Sequence, residues 1–372
     1  MKILFIHGIA EVGGAERELL LIVNHLPKYG CQPVVVCPRE GPFPELLRHG
    51  CIETRSAPFY PWRKLLWIHR RSQNVKGLMK VLQIEKPDLV HVNDIWWVPQ
   101  TLRALQDIEK QRVPIVVHVR QEIECSKVKR YELDKSSLVF AVSCRVREAL
   151  EAGGVPGQRL RVLYSGLDLA KISNHGVGQE GGRPFDISSE APLIGTVANL
   201  FPRKGYEVML EALSKVLEVI PNVHYLIIGK GNKQYEKRLK SRVNELGLGN
   251  QVHFTGFQDP VFSSLACLDV YVHPALMEGF GISVLESMAM EKPVIATKTG
   301  GLPEIVEDKR TGILVPPCNP AALARAIVAL LQDSRQRAEM GRLGRKRVTE
   351  YFTVEAMMGK MVQEYNLLIR NL

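Results

Sequence analysis

The chain lacks most of the features that would place it quickly. In 372 residues no apolar run reaches the length of a membrane-spanning helix. Met1-Lys2-Ile3-Leu4-Phe5-Ile6 is apolar, but His7 and Glu11 follow at once. That is too short for a secretory leader and reads as a buried first strand. Seven cysteines, Cys31, Cys37, Cys51, Cys125, Cys144, Cys267 and Cys318, are odd in number and show no Cys-x-x-Cys spacing. A disulfide framework and a zinc site are excluded, and a reducing, cytoplasmic setting is expected. No Asp-x-Asp occurs, the spacing that would support a metal-held diphosphate. Neither Gly13-Gly14 nor Gly229-Lys230-Gly231-Asn232 completes a Gly-x-Gly-x-x-Gly, so an NAD enzyme is not expected. Acidic residues are in deficit, 39 against 49 Lys and Arg. Most of that deficit falls in residues 1–170, with 18 acids against 25 cations; residues 171–372 hold 21 against 24. A basic half suits nucleic acid, an anionic membrane face or an acidic substrate. No nucleic-acid recognition module is present, which removes the first.

What is present is a regular alternation of strand-like and helical stretches, the pattern of α/β architecture with parallel sheets. Strands are predicted at Ile3–Ile6, Val34–Cys37, Leu89–Val92, Ile115–Val119 and Leu138–Val142. A second series runs through Leu193–Val197, Tyr225–Ile228, Val252–Phe254, Val270–Val272, Val294–Ala296 and Gly312–Val315. Helical periodicity covers Ala15–Leu26, Tyr206–Val219, Lys233–Leu246 and Ala321–Leu331. Between the series, the glycine-rich, apolar-poor stretch from Ser173 to Pro184 reads as a connection. The expected division is a first domain over residues 1–172, a linker over 173–190, a second domain over 191–352 and a terminal helix over 353–372.

The most informative stretch is His273-Pro-Ala-Leu-Met-Glu278-Gly-Phe-Gly-Ile-Ser-Val-Leu-Glu286. Glycines after the first acid argue against one helix through both. The stretch reads as a strand ending at His273, a tight loop carrying Glu278 and a helix starting near Ile282, with Glu286 about one turn inside. Backbone N–H groups at such a start suit a phosphate, and carboxylates suit sugar hydroxyls. Ser283-x-x-Glu286 fits a helix capping box equally well. Gly195-Thr-Val-Ala-Asn199-Leu-Phe-Pro-Arg203-Lys204-Gly205 is strand, loop and helix start with two cations, able to neutralise a departing diphosphate or simply solvated. Gly13-Gly14-Ala-Glu-Arg17, Thr299-Gly-Gly-Leu-Pro-Glu304 and Phe254-Thr-Gly-Phe257 also follow strands. His91, Asn93, Asp94, His118 and Arg120 stand at strand ends of the first series. A strand histidine such as His118 fits a core role as readily as a catalytic one. In Tyr60-Pro-Trp-Arg-Lys-Leu-Leu-Trp-Ile-His-Arg-Arg71, tryptophans and cations interleave, as in segments that lie on anionic bilayers or hold acidic acceptors.

The 273–286 run resembles the Glu-x7-Glu motif of the retaining glycosyltransferases of family 4. Gly13–Arg17, Lys204-Gly205 and Gly300-Gly301 match other runs of that family, in the same order along nearly the whole chain. Asn199 stands where the family usually has arginine, and Arg120 lies nearer than His118 to the position of its usual histidine. The resemblance implies a GT-B fold: two Rossmann-like, doubly wound parallel-sheet domains facing a cleft, with the terminal helix returning to the first. It implies transfer of a sugar, with retention of configuration, from a nucleotide-diphosphate sugar to a hydroxyl; the missing Asp-x-Asp makes metal-independent transfer the expectation, and the basic first half with the Trp-rich segment points to a glycan or lipid-linked acceptor. A UDP-sugar is favoured, no cofactor is needed, and peripheral attachment to an anionic inner-membrane face is expected. By the same resemblance Glu278, Lys204, Arg203, His118 and Arg120 are catalytic candidates. Gly13, Gly14, Asn199, Gly229, Phe257, Gly279, Phe280, Gly281, Ile282, Ser283 and Glu286 are donor-binding candidates. Lys204→Ala is expected to abolish transfer while changing thermal unfolding little. A sugar-nucleotide epimerase of the same fold and a non-catalytic binding subunit are the alternatives.

Overall fold

The computed structural model describes residues 1–60, 70–106, 113–173 and 183–371. The interleaved Trp and cation segment falls mostly, and the connecting stretch partly, outside them. The chain forms two compact units, Met1–Ser165 with Val354–Leu372, and Gly166–Thr353. Gly166–Ile172, assigned from sequence to the first domain, therefore belong to the second. The short helix Leu169–Ser173 packs there against the helix Ile282–Ala289.

Among the described residues the first unit holds a seven-stranded sheet. Its strands are β1 (Lys2–Ile6), β2 (Gln32–Cys37), β3 (Glu53–Ser56), β4 (Leu89–Val92), β5 (Ile115–Val119), β6 (Leu138–Ala141) and β7 (Leu160–Val162). They lie in the order β3-β2-β1-β4-β5-β6-β7, with every pairing parallel. The central strands read as unbroken apolar runs because both faces are covered. The helix Val354–Arg370 completes this core: Val354, Met357, Met358, Met361, Val362 and Tyr365 recur at helical spacing and are buried with Ile3, Phe5, Leu19 and Phe140. Neither β3 (Glu-Thr-Arg-Ser) nor β7 (Leu-Arg-Val) was expected. Both are edge strands, short and partly polar, with one side unpaired.

The second unit holds a six-stranded parallel sheet among its described residues, in the order β10-β9-β8-β11-β12-β13. Its strands are β8 (Leu193–Val197), β9 (His224–Ile228), β10 (Val252–Gly256), β11 (Val270–His273), β12 (Val294–Thr297) and β13 (Gly312–Val315). In each sheet the chain winds one way and then restarts beside its first strand. The reversal lies between β1 and β4 in one unit and between β8 and β11 in the other. Loops at the carboxyl ends of strands diverge at such a point and leave a crevice for a ligand.

Candidate functional site

One predicted acid, Glu278, and one predicted cation, Lys204, converge at the switch point of the second unit. The loop after β8 ends in a short turn, Pro202–Lys204, and the loop after β11 carries Glu278. Lys204 Nζ lies 2.5 Å from Glu278 Oε2, with only 12% and 11% of the two side chains exposed. The same oxygen lies 2.7 Å from His273 Nε2, and the Gly279 N–H donates to Oε1 at 3.2 Å. Burial alone would raise the Glu278 carboxyl. The Lys204 charge, then the hydrogen bonds from His273 and Lys204, more than offset that and hold it far below the usual carboxylate range. His273 is driven the other way. Burial lowers its pKa, with Glu278 resisting and Lys204 and Arg203 assisting, so the ring is neutral at neutral pH. With Nε2 facing a carboxylate, the neutral ring carries its proton there, and Nδ1 accepts from the Tyr271 hydroxyl at 3.0 Å. Tyr271 Oη in turn lies 2.9 Å from Ser283 Oγ, on the helix Ile282–Ala289.

Backbone contacts lock these loops together. The Arg203 carbonyl accepts from Leu276 N at 2.8 Å and Met277 N at 3.2 Å, while the Arg203 side chain is exposed, its guanidinium 5.8 Å from the Phe201 ring centre. Gly205 has φ +73°, and a β-carbon there would stand 1.9 Å from the Pro274 carbonyl oxygen. Gly300, at φ +53°, would meet the Glu278 carbonyl oxygen at 1.6 Å. Two backbones thus press on the Glu278 loop at points where only glycine fits. Gly281, at φ +117°, caps the eight-residue helix Ile282–Ala289. Its first N–H groups have no intrahelical partner. Glu286 lies one turn in and is half-buried. Phe280 is only 3% exposed and turns inward, 5.9 Å from Phe352. On the β9–β10 side, Gly229 lies too close to the Ala198 carbonyl for any side chain. Lys230 Nζ sits 4.9 Å over the ring of Phe257, which is 46% exposed. Asn199 is exposed and its carbonyl accepts from Phe201 N.

The switch point of the first unit carries a different device. His7, at the end of β1 and fully buried, has Nδ1 2.8 Å from Asp94 Oδ2 and Nε2 3.3 Å from Glu16 Oε1. Burial would neutralise the ring, but Asp94 and Glu16 outweigh it and raise its pKa to about 9. Glu16 also accepts from Gly13 N at 2.8 Å, closing the glycine turn that opens the helix Gly14–His25. A β-carbon on Gly14 would meet nothing within 4 Å. Arg120 pairs with buried Glu18 and donates to the Asn93 carbonyl at 2.9 Å. His118 is 1% exposed and packs against His91 and Phe140. Burial, with Arg120 nearby, keeps it well below the usual histidine range and neutral. His91 Nδ1 meets the Tyr365 hydroxyl at 2.5 Å.

Comparison with known proteins bears on both units. Residues 12–171 match the family profile of Glycosyltransferase Family 4. Residues 183–347 match the profile of Glycosyl transferases group 1. The chain is a glycosyltransferase of the GT-B fold. It is 28% identical to the lipopolysaccharide core biosynthesis glycosyltransferase LpsE of Rhizobium meliloti, over 98% of both chains. An uncharacterised glycosyltransferase of Methanocaldococcus jannaschii is 26% identical over 82% of this chain and 81% of its own. The crystal structure of HepE from Anabaena in complex with UDP-glucose shares the fold, with a TM-score of 0.82, 24% identity and coverage of 98% and 99%.

In this glycosyltransferase the structure brings Lys204, Glu278, Gly279 and Ser283 into one network through His273 and Tyr271, keeps Arg203 on its rim through its carbonyl, and sets Gly281 at the start of the adjoining helix. In the first unit His118 is buried, and Arg120 is half-buried on Glu18. Two participants were not singled out from sequence, His273 and Tyr271. Their signal was available: they lie two residues apart on one strand, and so on one face, immediately before the Glu278 loop.

Proposed function

We propose that this glycosyltransferase takes its sugar from a nucleotide-diphosphate donor, a UDP-sugar in first place, and transfers it to a hydroxyl of a glycan or lipid-linked acceptor with net retention and without a metal ion. The observation that carries the reading is the Lys204–Glu278–His273 constellation at the switch point, beside the start of the helix Ile282–Ala289. Lys204 and Arg203 with that helix start would neutralise the diphosphate as the glycosidic bond breaks. Glu286 would bind ribose hydroxyls. Phe257, exposed and overlain by Lys230, offers a face for the base.

Glu278 is held ionised, so it is no general acid, and its depressed basicity makes it a poor general base. Its fitting role is electrostatic: it would support positive charge developing at the anomeric carbon. The base for the acceptor hydroxyl is then the departing phosphate, on the same face of the sugar, and attack there preserves the configuration. UDP-glucose in the structure of HepE supports the choice of base. Lys204 and Arg203 together with the absence of Asp-x-Asp support metal independence. The test is a transfer assay with UDP-, GDP- and ADP-sugars and polyprenyl- or glycan-linked acceptors, with EDTA present, the product anomer being read by NMR. Retained configuration from one donor is expected. Inverted product, or loss of turnover on chelation, overturns that part of the proposal. Isomerised donor without any acceptor would favour the epimerase.

A further inference from the structure

We infer that His273 is a positioning residue that keeps Glu278 aimed at the sugar when a donor's diphosphate draws Lys204 away. The inference rests on the donor site proposed above. Lys204 is the strongest partner of Glu278 in the absence of ligand, yet it is also the cation placed to meet a diphosphate. A group carrying two or more negative charges competes directly with a single carboxylate for one ammonium. Two bonds to Glu278 do not depend on Lys204: His273 Nε2 at 2.7 Å on Oε2, and Gly279 N at 3.2 Å on Oε1. Both come from β11 and its own loop, so they fix the carboxylate relative to the sheet rather than to the movable ammonium. One oxygen is then held from the strand and the other from the loop.

The arrangement behind His273 serves the same end. A neutral imidazole can place its single proton on either nitrogen, and only the Nε2–H form donates to Glu278. With Nε2–H on Glu278, the Tyr271 hydroxyl gives its one proton to Nδ1 at 3.0 Å and accepts from Ser283 Oγ–H at 2.9 Å, while the Val197 carbonyl, 3.2 Å from the same oxygen, is the competing acceptor for that proton. The rings of Tyr271 and His273 stack at 23°. Both are fully buried, so no water can substitute for the tyrosine hydroxyl without a cavity. The charged groups acting on His273 are Glu278, Lys204 and Arg203; a bound diphosphate adds one more anion and leaves the Nε2–H bond favoured.

The experiment compares His273→Leu, which removes the donor, with His273→Gln, whose side-chain N–H reaches the place of Nε2. With the preferred nucleotide-sugar, His273→Leu should lower kcat about 10- to 100-fold, the weight of one hydrogen bond to a charged group, with donor KM changed less than about threefold. His273→Gln should recover most of the loss. Carbon-13 NMR of the Glu278 carboxyl in the UDP complex should show it titrating at higher pH in His273→Leu than in the wild type or His273→Gln. Equal losses in the two variants, or no loss in either, overturn the inference. Nitrogen-15 spectra of the wild-type protein provide a readout that needs neither variant nor turnover. A proton on Nε2 of His273, with and without UDP, is expected; a neutral Nδ1–H ring overturns it. Should no nucleotide-sugar support transfer, the proposed function fails by itself, while the ring tautomer still decides whether the relay exists.

Discussion

Removing the charge of Lys204 while keeping its stem, Lys204→Met, leaves Glu278 as a buried carboxylate with two neutral donors. At the 2.5 Å separation of Lys204 and Glu278, the attraction is about 6–7 kcal/mol at an effective dielectric constant of ~20, before the desolvation of both groups is subtracted. Breaking a buried pair by deleting one partner costs about 3–5 kcal/mol. Both side chains keep about a tenth of their exposure, and His273 and Gly279 still hold the carboxylate, so about 3 kcal/mol is expected. For a unit of this size that is a fall of roughly 6–12 °C in Tm. The sequence-based expectation that losing Lys204 changes unfolding little is therefore revised by the ion pair. Adding Glu278→Gln removes the stranded charge, and the double variant should recover about 2 kcal/mol of the loss. The pH dependence carries a sign. The folded pKa of Glu278 is depressed, so its contribution is present above the unfolded carboxylate value and fades as pH falls through the folded one. The gap between wild type and Lys204→Met is thus largest at neutral pH and narrows below about pH 4. Calorimetric unfolding of the wild type, Lys204→Met, Glu278→Gln and the double variant at pH 7 and pH 3.5 measures both effects. Additive losses in the double variant, or a gap indifferent to pH, would refute the reasoning.

Three further outcomes follow from other parts of the molecule. Gly300→Ala places a methyl 1.6 Å from the Glu278 carbonyl oxygen at φ +53°; a loss of about 3 kcal/mol together with a fall in kcat is expected from unfolding and initial-rate measurements. His7 has a folded pKa of about 9, above its unfolded value, so its contribution is complete below about pH 6.5 and disappears as pH rises through about 9. Urea unfolding should show the first unit losing on the order of 3 kcal/mol across that window, with His7→Gln flattening the dependence. Tyr365→Phe strands His91 Nδ1 in the core and should cost about 1–3 kcal/mol by thermal unfolding.

Reading the sequence succeeded where one physical rule acted alone. Central strands such as Ile3–Ile6 and Val294–Ala296 are buried on both faces, so their apolar runs have no other use. The Glu278 loop was legible because Gly279 and Gly281 interrupt helical periodicity at fixed distances from two acids. The edge strands β3 and β7 were not, since a strand with one bare side can carry Glu53, Arg55 or Arg161. The local sequence of Lys204 gives a solvated cation before a helix. What makes it a buried partner of Glu278 is the meeting of two loops 74 residues apart, which only the winding of the sheet supplies. For His118 the sequence left a core role and a catalytic one open, because the packing of His91 and Phe140 around it depends on neighbouring strands.

The claim on which the functional account stands is that a diphosphate is gripped at the carboxyl end of β8 and β11. A crystal structure of the protein with UDP addresses it directly. The account predicts the terminal phosphate within hydrogen-bond reach of Lys204 Nζ and of the backbone N–H groups of residues 281–283, with Glu278 still on His273. A nucleotide bound with its phosphates away from Lys204 and from that helix start would contradict it.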